Sequence, residues 1–179
     1  MTDKLTEIPA DDKSFSELTS LIRAADGLSL AQVCSLTGLE QSTVQNWIKR
    51  GFVPHPVRKR YGERHVARIL LISELRECML IERVGELMRY INGNADDTGD
   101  DIIDESALYD LFRDASRHVA ERYLPPDRVG EAVAQIVSNR VTDPVSRERI
   151  IPALTVMAVA CIAARYKGAA DKMYSKMFE

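Results

Sequence analysis

The spacing of the apolar residues restricts the fold of this sequence more than any other feature. In most segments they recur every three or four positions, as at Leu108, Leu111, Phe112 and Ala115. That period places them on one face of an α-helix, whereas a strand facing a core alternates apolar and polar residues. The 179 residues are 45% hydrophobic and 28% charged, a composition typical of globular proteins. The sequence therefore predicts an all-α protein of one or two domains.

Two short helices joined by a tight turn are predicted near the N-terminus. Ser29 can cap the first helix, and Gly38 falls at the turn, where a positive φ is needed. Counted from Leu30, small or apolar residues stand at the six positions at which the helices of a helix–turn–helix pack together, namely Val33, Cys34, Gly38, Leu39, Val44 and Trp47. The second helix of such a pair, which runs to Gly51, can lie in the major groove of DNA.

The outer face of this second helix is polar, and its residues are Ser42, Thr43, Gln45, Asn46, Lys49 and Arg50. Asn and Gln side chains can pair with adenine, and Lys and Arg can reach guanine or phosphate. We expect Gln45, Asn46 and Lys49 to read bases and Arg50 to contact phosphate. The same residues would also suit the solvent-facing side of an ordinary helix hairpin.

Positive and negative charges are concentrated in different segments of the chain. The net charge of −3 and the pI near 5.7 argue against a nucleic-acid-binding protein. Residues 45–68, however, hold seven Lys and Arg against Glu63 alone, whereas residues 91–124 carry a net charge of −6. A basic region beside the predicted recognition helix favours DNA binding.

A loop with two prolines follows the helix pair and carries three consecutive cations, Arg58, Lys59 and Arg60. Prolines two residues apart exclude a helix, so the sequence predicts a short extended hairpin or loop that resembles a wing. We expect these cations, with Arg64 at the start of the next helix, to hold DNA phosphates.

Residues 28–78 resemble the N-terminal winged-helix domain of MerR-type transcription regulators. The shared features are the Gly51-Phe52-Val53-Pro54 run, the basic wing ending in Tyr61, and a following helix rich in Ala, Arg, Leu and Ile. The Asn-Trp-Ile-Lys-Arg-Gly-Phe-Val-Pro stretch and the Lys-Arg-Tyr wing are also similar to the uncharacterised bacterial domain-of-unknown-function 1836 family. The resemblance implies a MerR-like winged helix–turn–helix domain, a C-terminal helical bundle and a regulatory role. It implies no base preference, because Gln45, Asn46 and Trp47 replace the usual Arg-Tyr-Tyr.

An acidic, Gly-punctuated run interrupts the helical patterns and predicts a linker at 93–100. The domains are then a winged helix–turn–helix domain at 14–92 and a helical dimerisation or sensing domain at 101–179. The stretch from Ile150 to Ala164 is apolar nearly all round, which is typical of a helix surrounded by others or by a partner subunit, and Gly168 is expected to end it. We expect a homodimer through these C-terminal helices, with a pocket for a small-molecule effector as a further option.

Other classes of function find no support in the sequence. The three cysteines and three histidines are scattered, without metal-ligand spacing, and no catalytic motif is present, so we expect no metal, no cofactor and no enzyme. The histidines are expected at the surface. The N-terminus lacks a secretory signal, and the Ile150–Ala164 stretch is too short to span a bilayer, so we expect a cytoplasmic protein without membrane contact.

The sequence therefore predicts a DNA-binding transcriptional regulator that contacts double-stranded DNA through a recognition helix and a basic wing. The alternative is a protein–protein interaction module on a winged-helix scaffold, without enzymatic activity, which the overall acidity favours.

Overall fold

The computed structural model describes residues 15–178, and this part of the chain is helical. Its helices are α1 (Phe15–Ala24), α2 (Leu30–Thr37), α3 (Gln41–Lys49), α4 (Glu63–Leu75), α5 (Ile81–Asn92), α6 (Glu105–Arg122), α7 (Pro126–Ser138) and α8 (Pro144–Lys176). Extended pairing among the described residues is limited to two isolated bridges, Leu28 with Tyr61 and Val57 with Arg60. The all-α prediction is confirmed.

Local signals in the sequence set the ends of α2 and the start of α3. The Ser29 hydroxyl accepts a hydrogen bond from the Gln32 amide, and the Gln32 side chain accepts one from the Ser29 amide at 2.9 Å. Gly38 ends α2 with φ = 70°, and its N–H donates to the Cys34 carbonyl oxygen at 2.8 Å. Helix α3 begins three residues later, at Gln41, and ends at Lys49 instead of the expected Gly51. The sequence also predicts an N-cap at Ser14 for α1, and this residue lies outside the described residues.

The chain divides into two compact units that are interleaved along the sequence. The first comprises Met1–Ser73 and Asn92–Asp110, and the second comprises Glu74–Ile91 and Leu111–Glu179. Residues 93–100, predicted as a linker, therefore belong to the first unit. The physical reason is that the acidic side chains near this stretch find cationic partners in that unit. The division into independent domains at 14–92 and 101–179 stays a prediction.

Each unit has its own apolar core. Buried residues of the first unit include Phe15, Leu18, Ile22, Val33, Val44, Trp47, Val53, Val66, Ile69 and Leu70. Those of the second include Leu75, Val84, Met88, Leu111, Phe112, Val119, Val133, Val137, Ile150 and Leu154. The burial of Trp47 agrees with its predicted packing role.

Helix α8 is longer and more exposed than the sequence predicts. The Asp143–Pro144 pair in the sequence predicts a helix start, and the Asp143 carboxylate caps α8 by accepting a hydrogen bond from the Ser146 amide at 2.8 Å. The helix then continues through Pro152 and Gly168 to Lys176, so the expected end at Gly168 is wrong. A mid-helix glycine costs only about 1 kcal/mol. By length and composition alone α8 could cross a membrane, and 33% of its most apolar window is buried within the protein.

Two cysteines of the second unit lie close together. The Sγ atoms of Cys78 and Cys161 are 3.0 Å apart, and both thiols are free and half-buried. Burial raises the pKa of each thiol above its usual value. The pair is therefore expected to remain protonated at neutral pH.

Candidate nucleic-acid interface

Helix α3 turns one face into the first unit and the other to solvent. Val44 and Trp47 are buried because they are three residues apart and share the inner face. The outward residues Ser42, Gln45, Asn46, Lys49 and Arg50 are exposed, and Thr43 is half-buried. The predicted base-reading residues thus lie together on one solvent-facing side of α3.

Arg50 lies at the end of α3 and is held over an aromatic ring. Its guanidinium carbon is 4.5 Å from the centre of the Phe52 ring, and Phe52 itself is buried. A cation packed on an aromatic face loses rotational freedom but keeps its charge exposed. Arg50 is therefore more fixed in direction than Lys49, one residue earlier.

The wing of the protein, residues 54–61, ends in a four-residue turn with Arg58 and Lys59 at its tip. The Arg60 amide donates to the Val57 carbonyl oxygen at 2.8 Å, and φ is 50° at Arg58 and 62° at Lys59. Two positive φ values define a type I′ turn, which ordinarily carries Asn-Gly at these positions. A left-handed conformation costs an L-residue without special stabilisation about 1 kcal/mol. The tip therefore places two cations in solvent at a cost in stability.

His65 of α4 forms hydrogen bonds with residues near both ends of the wing, an arrangement that we name the His65 clasp. Its Nδ1 accepts a hydrogen bond from the Gly62 amide at 3.2 Å, so Nε2 carries the proton and donates to the His55 carbonyl oxygen at 3.0 Å. Burial lowers the pKa of His65, and protonation of Nδ1 would set two N–H groups against each other. His65 is buried, so its expected surface position is wrong, and sequence spacing gave no signal for the clasp.

The acidic segment, residues 96–105, contacts the base of the wing and α4. The Asp96 carboxylate accepts hydrogen bonds from the His55 amide at 2.7 Å and from the His55 ring, and the His55 amide holds the pKa of Asp96 below its usual value. Arg64 donates to the Asp97 carbonyl oxygen at 3.1 Å and pairs with Asp101 at 3.2 Å. Arg64 is thus half-buried and engaged within the protein, apart from the other predicted phosphate ligands.

Arg68 and Glu105 form a buried ion pair one helical turn beyond Arg64. Arg68 also donates to the Phe52 carbonyl oxygen at 2.7 Å, and the Asn92 side-chain amide donates to the Ile103 carbonyl oxygen at 2.7 Å. Burial raises the pKa of Glu105, opposed by the Arg68 charge. The positive charge counted over residues 45–68 is therefore partly neutralised inside the first unit.

Three of the predicted DNA contacts remain as outward cations, Lys49, Arg58 and Lys59. Each is exposed, and none of the three side chains makes an ion pair or hydrogen bond within the described part of the chain. Arg60 is exposed as well but donates a long hydrogen bond, 3.4 Å, to the Gly27 carbonyl oxygen. These cations and the α3 face form the candidate interface. No group of three or more His, Cys, Asp or Glu suited to a metal occurs in residues 15–178.

Comparison with known proteins places the chain in a known family. Residues 3–112 match the family described as "Domain of unknown function (DUF1836)". Over 87 residues the chain is 26% identical to the "Uncharacterized protein YkrK" of Bacillus subtilis (strain 168), an alignment that covers 46% of this chain and 37% of that relative. No solved structure matches the chain. Because the family match covers more than half of the sequence, the chain belongs to the DUF1836 family.

Proposed function

We propose that this protein is a DNA-binding transcriptional regulator in which α2 and α3 act as a MerR-like winged helix–turn–helix. The observation that carries the proposal is the wing tip, where Arg58 and Lys59 occupy strained positions that Asn-Gly would fill more stably. Strain kept at an exposed tip favours a functional role for the side chains placed there. Two unpaired cations in solvent suit the phosphate backbone of DNA.

Helix α3 would supply sequence specificity. Gln45 and Asn46 are exposed amides on the same helix face, and amides of this kind can make two hydrogen bonds with adenine in the major groove. Lys49 lies one turn after Gln45 and would reach guanine or phosphate, with Ser42 and Thr43 near the bases. Arg50 and Arg60 would hold phosphates beside the wing. Arg64 would instead hold the acidic segment through Asp101, and the same segment bonds the wing through Asp96 and His55.

Dimerisation would complete the DNA-binding protein. A single recognition helix contacts only a few base pairs, and a two-fold dimer reads two half-sites about 10 base pairs apart. We place the dimer contact in residues 101–179, the protein in the cytoplasm, and any small-molecule effector in the second unit. No catalytic step forms part of the proposal.

A selection experiment tests the role of α3. Random duplexes enriched by the wild-type protein should share a two-fold repeated motif. We expect Gln45→Ala/Asn46→Ala to lose most of the preference for that motif, about 1–3 kcal/mol for each base contact, while keeping its affinity for unrelated DNA. Gln135→Ala removes an exposed amide from α7 and serves as the matched control.

Enrichment of the same motif by the double variant would contradict base reading by α3. If the wild-type protein bound no duplex and a partner protein were bound through the α3 face, the protein-interaction alternative would replace the proposal.

A further inference from the structure

Helix α8 carries a second apolar stripe on the side opposite its buried residues. Its buried face consists of Ile150, Ala153, Leu154, Met157 and Ala158. At 100° per residue, the centre of this face lies about half a turn from a stripe of eight apolar residues, which we name the seam. The seam consists of Pro152, Val156, Val159, Ala163, Tyr166, Ala170, Met173 and Met177, the last being the C-cap of α8.

The spacing of the seam is that of a coiled coil. Its members follow one another at alternating intervals of four and three residues, without interruption, from Pro152 to Met177. An average interval of 3.5 residues keeps a stripe in line only when two helices wind around each other with a left-handed twist. None of the eight is charged, although 28% of the chain is.

Seven of the eight seam residues are exposed in the structure of the single chain, and Val159 is half-buried. Val156, Tyr166, Met173 and Met177 are between 49% and 76% exposed. The seam is about 39 Å long, and a specific interface between two proteins buries about 800 Å² on each partner. A continuous exposed apolar stripe of this size indicates an interaction surface.

We propose that the seam is the dimer interface, and that its occupant is the seam of a second copy of this chain. A helix with the same 3.5-residue period is the complementary surface, and α8 supplies it. Ala163 and Ala170 leave gaps into which larger side chains of a partner helix fit. The seam holds no Leu, Phe or Trp, the residues that anchor helices at a membrane surface. The inference rests on the proposed homodimer but not on DNA binding.

The mass of the full-length protein in solution, measured by light scattering, tests the seam. We expect the wild type to have twice the 20.1 kDa mass of the chain. Tyr166→Glu/Met173→Glu should weaken the dimer by roughly 100-fold or more, because two unpaired charges would be buried in each seam. Leu80→Glu is the control, since Leu80 is an exposed apolar residue of the same unit outside the seam. Circular dichroism should show the same helix content for the wild type, the double variant and the control.

Each contrary result identifies what is wrong. A wild-type monomer would contradict the dimer itself, and binding of that monomer to lipid vesicles, lost in the double variant, would make the seam a membrane surface. A double variant that remains a dimer would contradict the seam alone and leave the dimer in place.

Discussion

The guanidinium of Arg68 donates a hydrogen bond to the carboxylate of Glu105, and the two side chains are only 1% and 0% exposed. This pair joins α4 to Glu105, which is the first residue of α6 and the last of the acidic segment. Breaking one side of a buried pair leaves an uncompensated charge, which commonly costs 3–5 kcal/mol.

We expect Arg68→Met to lower the free energy of unfolding by about 3–5 kcal/mol in urea denaturation. Arg68→Met/Glu105→Leu should recover much of that loss, because no charge remains buried. The control is Arg128→Met, which breaks an exposed pair with Glu131 and should cost less than about 1 kcal/mol. The role of the pair would be contradicted if the double variant lost as much free energy of unfolding as Arg68→Met and Glu105→Leu lose together.

The His65 clasp predicts that stability falls in mild acid. Because the pKa of folded His65 is lowered from its ordinary value near 6.5, its contribution is complete above about pH 6.5 and is lost as the pH falls through the folded pKa. His65→Gln should flatten this part of the profile of unfolding free energy against pH. His118→Gln, in the second unit, should keep it. An unchanged profile in His65→Gln would show that another group titrates.

Gly38 and Gly168 form a matched pair of glycines. An added Cβ meets no atom within 4 Å at either position, but Gly38 has φ = 70° whereas Gly168 is helical. We expect Gly38→Ala to lower the free energy of unfolding by about 1 kcal/mol and Gly168→Ala to raise it by about 0.5–1 kcal/mol. Thermal denaturation measures whether each substitution raises or lowers the free energy of unfolding. Equal changes in the free energy of unfolding would mean that the turn after α2 also forms with a negative φ at position 38.

The wing tip predicts a conflict between stability and binding. Arg58→Asn/Lys59→Gly places the preferred residues in the type I′ turn and should raise the free energy of unfolding by about 1–2 kcal/mol. The same variant should bind duplex DNA more weakly, because both tip cations are gone. A variant that becomes more stable and binds equally well would mean that the tip does not touch DNA.

The parts of the fold that depend on neighbouring residues could be predicted from the sequence. Ser29 and Gly38 define α2 through contacts within five residues, and Asp143 caps α8 through Ser146, three residues away. The spacing of the apolar residues in α3 is enough to predict which of its sides faces solvent. These features need no knowledge of the rest of the chain.

The parts that depend on distant contacts could not be predicted. Asp101 and Glu105 reach Arg64 and Arg68 across 37 residues, a separation over which local periodicity in the sequence gives no signal. The burial of His65 depends in the same way on the His55 carbonyl group, ten residues away. These contacts leave Lys49, Arg58 and Lys59 as the exposed cations without a partner among the predicted DNA contacts. Counting charges along the sequence cannot identify these three.

The most direct test of the account is the affinity for mixed duplex DNA across a series of salt concentrations. We expect log affinity to fall with log salt at about −0.9 per phosphate contact, and Arg58→Ala/Lys59→Ala to make that slope shallower by about two contacts. Arg83→Ala/Lys172→Ala removes the same charge from exposed positions of the second unit and should keep the wild-type slope. Equal slopes in all three proteins, or no binding at low salt, would contradict the proposal that the wing grips DNA.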